Sequence, residues 1–98
     1  MKQYVLSRLA EKDLDDIWLF IADDSVDMAD KVLTKLREAM RSLAKMPGMG
    51  HTREDLPDMS LRVWPVYSYL IIYKSDSEQL QIVRVINGVR DIPNINLG

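Results

Sequence analysis

Cysteine is absent from this 98-residue chain, and histidine occurs once, at His51. The first absence excludes a disulfide scaffold, a thiolate nucleophile and a cysteine-based zinc site. One histidine is too little for a His-led metal cluster or a pH-sensing histidine network. Long apolar runs are missing too: the longest, Tyr69–Tyr73, falls far short of the ~20 residues a membrane span needs. The opening Met1–Ser7 lacks the apolar stretch of a signal peptide. Positive charge is not in excess, with 13 Lys and Arg against 15 Asp and Glu and a net charge of −2. A domain whose main work is gripping phosphates usually carries a marked cationic excess, so direct nucleic-acid binding starts at a disadvantage. Neither GxGxxG nor GxxxxGK[ST] occurs, so no phosphate cradle is encoded. What is present is a globular balance, 47% hydrophobic and 29% charged. Two cores would each fall near the ~50-residue floor for unaided folding, so a single domain over 1–98 is expected, in a soluble cytoplasmic protein.

The hydrophobic period changes midway. Residues 4–6 form a short β-type segment, and Ser7 offers a hydroxyl N-cap. Ala10, Leu14, Ile17, Trp18 and Ile21 then share one face of a helix. After Asp23-Asp24, with Asp24 or Ser25 as cap, Ala29, Val32, Leu33, Leu36, Met40 and Leu43 form a second helical stripe. Met46-Pro47-Gly48 stops it, because proline removes a donor and disfavours helix at the residue before it. Residues 47–60 are rich in breakers and form a loop, followed by strand-like runs at 61–66, 69–74 and 80–87. The link 75–79 is too short for a parallel crossover, so the last two strands pair antiparallel. Asp91-Ile-Pro93 opens a terminal turn or short helix. The order is β-αα-βββ: an α+β domain with a helical hairpin packed on one face of a small, curved, mainly antiparallel sheet.

Charge is segregated along the helices. Residues 8–30 hold eight acids against Arg8 and Lys12, a local net of −6, whereas residues 31–45 carry a local net of +4. The helix macrodipole accounts for much of such a division; a partner-binding patch is the alternative.

No enzymatic constellation stands out. His51 sits in a glycine-flanked loop with no nucleophile elbow elsewhere, and reads better as a solvent-facing side chain. Asp15-Asp16 and Asp23-Asp24 are sequence neighbours, which do not share a helix face and make poor acid/base dyads. Asp55 with Asp58 is too weak a signal for a metal, so neither metal nor cofactor is expected. The arginines are more informative. On strand 80–87, Leu80, Ile82, Arg84 and Ile86 alternate onto one face, where a guanidinium needs an acceptor or a partner surface. Arg62 shares a face with Trp64, Arg53 precedes Glu54-Asp55, and Arg90-Asp91 follows the Asn87-Gly88 turn. Each arginine either knits loop to sheet through a salt bridge or joins Trp64, Tyr67, Tyr69 and Tyr73 on a concave interface of the composition typical of protein contacts.

These segments together resemble a known family. Leu6–Trp18 is similar to the first helix of ParE toxins, small members of the RelE/ParE superfamily. Leu43-Ala44-x-x-Pro47-x-Met49-Gly50-x-x-Arg53-x-Asp55-Leu56 resembles the same family's helix end and loop. Arg62, Tyr69–Tyr73 and the run from Ile82 to Ile92, with Gly88 and Arg90-Asp91, complete the likeness in order over essentially the whole chain.

The resemblance implies a toxin of a type II toxin–antitoxin pair. It would be neutralised by a ParD-like antitoxin that folds around it and carries the complex to its own operator DNA. Two activities divide the superfamily: ribosome-dependent mRNA cleavage in RelE-type members and non-enzymatic poisoning of DNA gyrase in ParE-type ones. The mRNA-cleaving type usually has an arginine three positions before the strand tyrosine, where this chain has Leu70. It also tends to have a tyrosine some six positions after the post-turn arginine, where this chain has Asn96. Arg90 is retained, but one arginine cannot perform acid/base transfer. Gyrase poisoning is therefore the expectation, with no catalytic residue, no cofactor and no membrane association. Arg53, Arg62, Trp64, Tyr73, Arg84, Arg90 and Asp91 are expected to form or brace the face that meets target or antitoxin. A RelE-like nuclease, or a relic acting only in autoregulation, are the alternatives.

Overall fold

A computed structural model of the chain describes residues 3–76, 78–88 and 97. Strand β1 (Tyr4–Leu6) leads into α1 (Arg8–Ala22) and α2 (Val26–Lys45). A 3-10 turn (Pro47–Met49) follows, then β2 (Arg62–Val66), β3 (Tyr69–Ser75) and β4 (Leu80–Asn87). Both helix starts use a serine hydroxyl: Ser7 accepts from the Ala10 N–H at 3.0 Å, and Ser25, rather than Asp24, accepts from the Met28 N–H at 3.1 Å. The expected terminal turn beginning at Asp91 lies outside the described residues.

The four strands lie in the order β1-β4-β3-β2, with β1 parallel to β4 and the other pairs antiparallel. Period-two alternation gives each strand two apolar faces. Ile71, Tyr73, Leu80, Ile82 and Val85 face the helical hairpin, where Ala10, Leu14, Ile17, Leu33, Leu36, Met40 and Leu43 close the main core. The opposite face carries Val63, Leu70, Ile72 and Ile86, and the 51–61 loop covers it by burying Leu56 and Leu61 there. The loop is thus the second lid of the sheet. Trp18, expected in the core, is half-buried: it packs against the main core while its indole N–H donates to Asp30 at 2.8 Å.

One sequence expectation about β4 is corrected. Strict alternation would put Arg84 and Ile86 on the face of Leu80 and Ile82. The register instead shifts between Ile72 and Tyr73, which pair with Arg84 and Ile82 and leave Val83 as an extra residue. A bulge of this kind inverts the alternation beyond it. Val85 therefore joins Leu80 and Ile82 in the main core, and Ile86 joins the opposite cluster. At the other end of the sheet, a two-residue turn joins β2 to β3, and its first residue, Tyr67, has φ 56. A primed hairpin turn demands that sign there.

Candidate functional site

Two networks and one separate ion pair account for the described members of the expected face. The first is built on Tyr73. Its ring is fully buried, and its hydroxyl donates to the Pro47 carbonyl at 2.6 Å while accepting from the Gly50 N–H at 2.9 Å. Arg62, paired with Tyr73 across β2 and β3, donates from Nη1 to the Gly50 carbonyl at 3.0 Å. Burial pushes the Tyr73 phenol above its ordinary value of 10.0; the Gly50 N–H and the Arg62 charge partly oppose the shift. His51 exchanges both backbone hydrogen bonds with Val63, at 2.9 and 2.8 Å, and its ring stacks on Trp64 at 6.3 Å and 13°. The Pro-Gly-Met-Gly-His segment is thereby clamped to β2 and β3. Arg53 forms a two-pronged pair with Asp55, at 2.9 and 2.6 Å, which holds that carboxyl below the usual carboxylate range.

The second network joins α1 to β4. Arg84 donates from Nε and Nη2 to the two carboxylate oxygens of Asp13 at 2.7 and 2.8 Å, and Oδ2 also accepts from the Val85 N–H at 3.0 Å. The side chains are only 17% and 12% exposed. Beside them, the Ser7 hydroxyl donates to the Val83 carbonyl at 2.7 Å. Since β1 pairs with β4 only as far as Ile82, the side chains of Ser7 and Asp13 take over where the ladder ends. Arg84 does form a salt bridge, but it ties helix α1 to β4 rather than the loop to the sheet.

The structure therefore brings together Arg62, Tyr73 and, through His51, Trp64; it sets Arg53 apart in the loop and ties Arg84, on the neighbouring strand β4, to α1. An exposed aromatic face that includes Tyr73 does not form, because the helical hairpin covers that face and the ring lies within the main core. Trp64 and Tyr69 pack half-buried at its margin, and Tyr67 is exposed in the turn. Arg90 and Asp91 lie outside the described residues. Sequence reasoning missed Asp13, although it stands three residues after Ala10 and four before Ile17, within the apolar stripe. A carboxylate there calls for a cation, and Arg84 was the cation lacking an acceptor. Gly50 was read only as a loop former; its contact with Tyr73 depends on tertiary packing.

A helical hairpin on one face of an open, mixed four-stranded sheet defines the class: a small α+β protein. A solved structure described as the chromosomal ParDE TA system from P. aeruginosa shares this architecture with a TM-score of 0.73 at 19% identity, over 89% of this chain and 96% of that one. The sequence profile of the ParE toxin of type II toxin–antitoxin system, parDE, matches residues 4–92. Toxin ParE1 of Caulobacter vibrioides is 33% identical over 88 residues, covering 89% of this chain and 90% of that protein. The chain belongs to the ParE toxin family of type II toxin–antitoxin systems.

Proposed function

We propose that the protein acts as the toxin of its module by binding DNA gyrase and trapping it with cleaved DNA, and that a ParD-type antitoxin neutralises it in the cytoplasm. The match to the ParE toxin profile over residues 4–92 is the observation that carries this function. The local chemistry supports action by binding rather than by catalysis. The position where an RNA-cleaving relative would carry an arginine is Leu70, packed into the second cluster so tightly that a Cβ on Gly88 would meet its Cγ at 2.8 Å. The phenol of Tyr73 is committed to Pro47 and Gly50, and Arg53 and Arg84 are committed to carboxylates. A proton-transfer pair for an RNA 2′-hydroxyl would have to be drawn from groups with no such commitments. Any operator binding is assigned to the complex, through the antitoxin.

The test is a gyrase supercoiling and cleavage assay on purified protein, run beside a ribosome-programmed mRNA cleavage assay. Stabilised gyrase–DNA breaks with intact mRNA, relieved by the antitoxin, are expected. Cut mRNA with untouched gyrase would overturn the proposal in favour of a divergent nuclease, and inactivity in both assays would favour the relic.

A further inference from the structure

The outward face of the helical hairpin carries charges of both signs that the fold does not pair. A groove of about 330 Å³ runs there between α1 and α2. Leu14 and Leu33, both buried, and half-buried Trp18 make its floor; Asp15, Asp30 and Arg37, all exposed, stand along its rim. Asp30 accepts the Trp18 indole N–H at 2.8 Å, which holds that carboxylate beside the ring. Although they line one groove, none of Asp15, Asp30 and Arg37 has an ion-pair partner among the described residues. Towards the tip of the hairpin the rim turns apolar. Leu19, one turn beyond Asp15, is 63% exposed, and Val26, one turn before Asp30, is 52% exposed.

The order of charge along α2 is self-complementary. Asp30 and Arg37 lie on one helix face, two turns or about 10 Å apart. When two copies of α2 lie antiparallel about a two-fold axis between positions 33 and 34, residue 30 of each stands opposite residue 37 of the other. The wider pattern runs the same way, since residues 8–30 are net acidic and residues 31–45 net basic. Antiparallel pairing lays the acidic tip of each hairpin over the basic end of the other, whereas parallel pairing sets like charges together. Two-fold contacts of this isologous kind are the commonest way for identical chains to associate.

We propose that the groove is a self-association site: a second copy of the chain packs antiparallel on the hairpin, and each Arg37 enters the groove of the other copy to meet Asp30 there. The face of Trp18 attracts the same guanidinium, and Leu19 and Val26 add apolar area at the two ends of the contact. Helix α2 has 20 residues. At ~1.5 Å per residue it is ~30 Å long, and two helices side by side are ~20 Å wide, so the face offers about 600 Å² per copy. That is the low end for a specific interface, and it fits a dimer that dissociates at about 10–100 μM and weakens with salt. The contact requires neither the target nor the antitoxin.

The test is sedimentation equilibrium on the full-length chain alone, from about 1 to 500 μM, at low and at high salt. A monomer–dimer equilibrium is expected, weakened at least about tenfold between about 0.05 and 0.5 M salt. Arg37→Asp and Asp30→Arg, each checked for its fold by helical circular dichroism, are each expected to abolish the dimer, because each sets like charges face to face. Mixed in equal amounts, the two variants are expected to form a dimer again, since both contacts across the axis then join an acid to a base. That recovery separates a lost contact from a lost fold. A wild-type chain that stays monomeric throughout overturns the proposal, and a dimer retained by both single variants places the interface elsewhere. Folded variants that fail to combine overturn the antiparallel pairing. A monomeric chain whose binding to the antitoxin is lost in Arg37→Asp would give the groove to that partner instead.

Discussion

Gly50 has an ordinary φ of −74, so its lack of a side chain is demanded by space rather than by backbone conformation. A Cβ there would sit against the Tyr73 hydroxyl and within 2.8 Å of ring atoms Cε1 and Cζ. The ring is fixed by the main core and cannot retreat. Gly50→Ala is expected to cost about 1–3 kcal/mol, the range for overpacking a filled site; an unchanged urea midpoint would show that the turn yields freely. Tyr73→Phe probes the same contact from the other side, leaving the Gly50 N–H without an acceptor, and is expected to cost about 1–3 kcal/mol. Burial raises the Tyr73 phenol above 10.0, so the folded state holds its proton more tightly than the unfolded chain. That contribution is complete below pH 10.0 and is lost as pH rises through the folded-state value. Urea midpoints measured across the alkaline range should therefore fall more steeply in the wild type than in Tyr73→Phe; parallel slopes would mean the phenol is not protected.

At the scale of elements, α1 does two jobs. Its apolar stripe closes the main core, and its first turns stand in for the missing strand along the end of β4 through Ser7 and Asp13. Removing one partner of a nearly buried ion pair strands the other. Asp13→Ala is expected to cost about 1.5–3 kcal/mol, the range for hydrogen bonds to charged groups. A double-mutant cycle with Arg84→Met separates the pair from its surroundings, and the double variant should recover part of the single-variant loss. Additive losses would show that α1 and β4 are held together by apolar packing alone.

For the molecule as a whole, the sheet is shared: the main core lies under the helices and a second cluster lies under the 51–61 loop. Ile71 and Ile72 are adjacent in β3 but belong to different clusters, so neither cluster can loosen without disturbing the strand they share. Leu36→Ala in the main core and Leu56→Ala beneath the loop are each expected to lower the same cooperative transition, by about 2–5 kcal/mol for a fully buried leucine. Helical circular dichroism and tryptophan fluorescence should report one midpoint in both variants. A Leu56→Ala midpoint equal to the wild type would make the loop an independent flap.

The sequence by itself determined the elements and their order. The cap at Ser7, a second cap at Asp24 or Ser25, the stop at Pro47 and the change from helical to strand period are local signals, set by backbone sterics and by where apolar side chains recur. Family membership was legible in the same way, because the loop and strand-end motifs are contiguous. Only the tertiary structure decided the rest. The bulge at Val83, the parallel seat of β1, the burial of Tyr73 and the partnering of Asp13 with Arg84 join residues as many as 76 positions apart. A period marks which side of a strand is apolar but not what will cover it. The helical hairpin, by covering the face that carries Tyr73, makes that residue a brace for the loop, one of the two roles expected of it. Among the described residues, the same packing leaves β1 at an edge of the sheet, because a strand's neighbours are fixed only when distant segments meet.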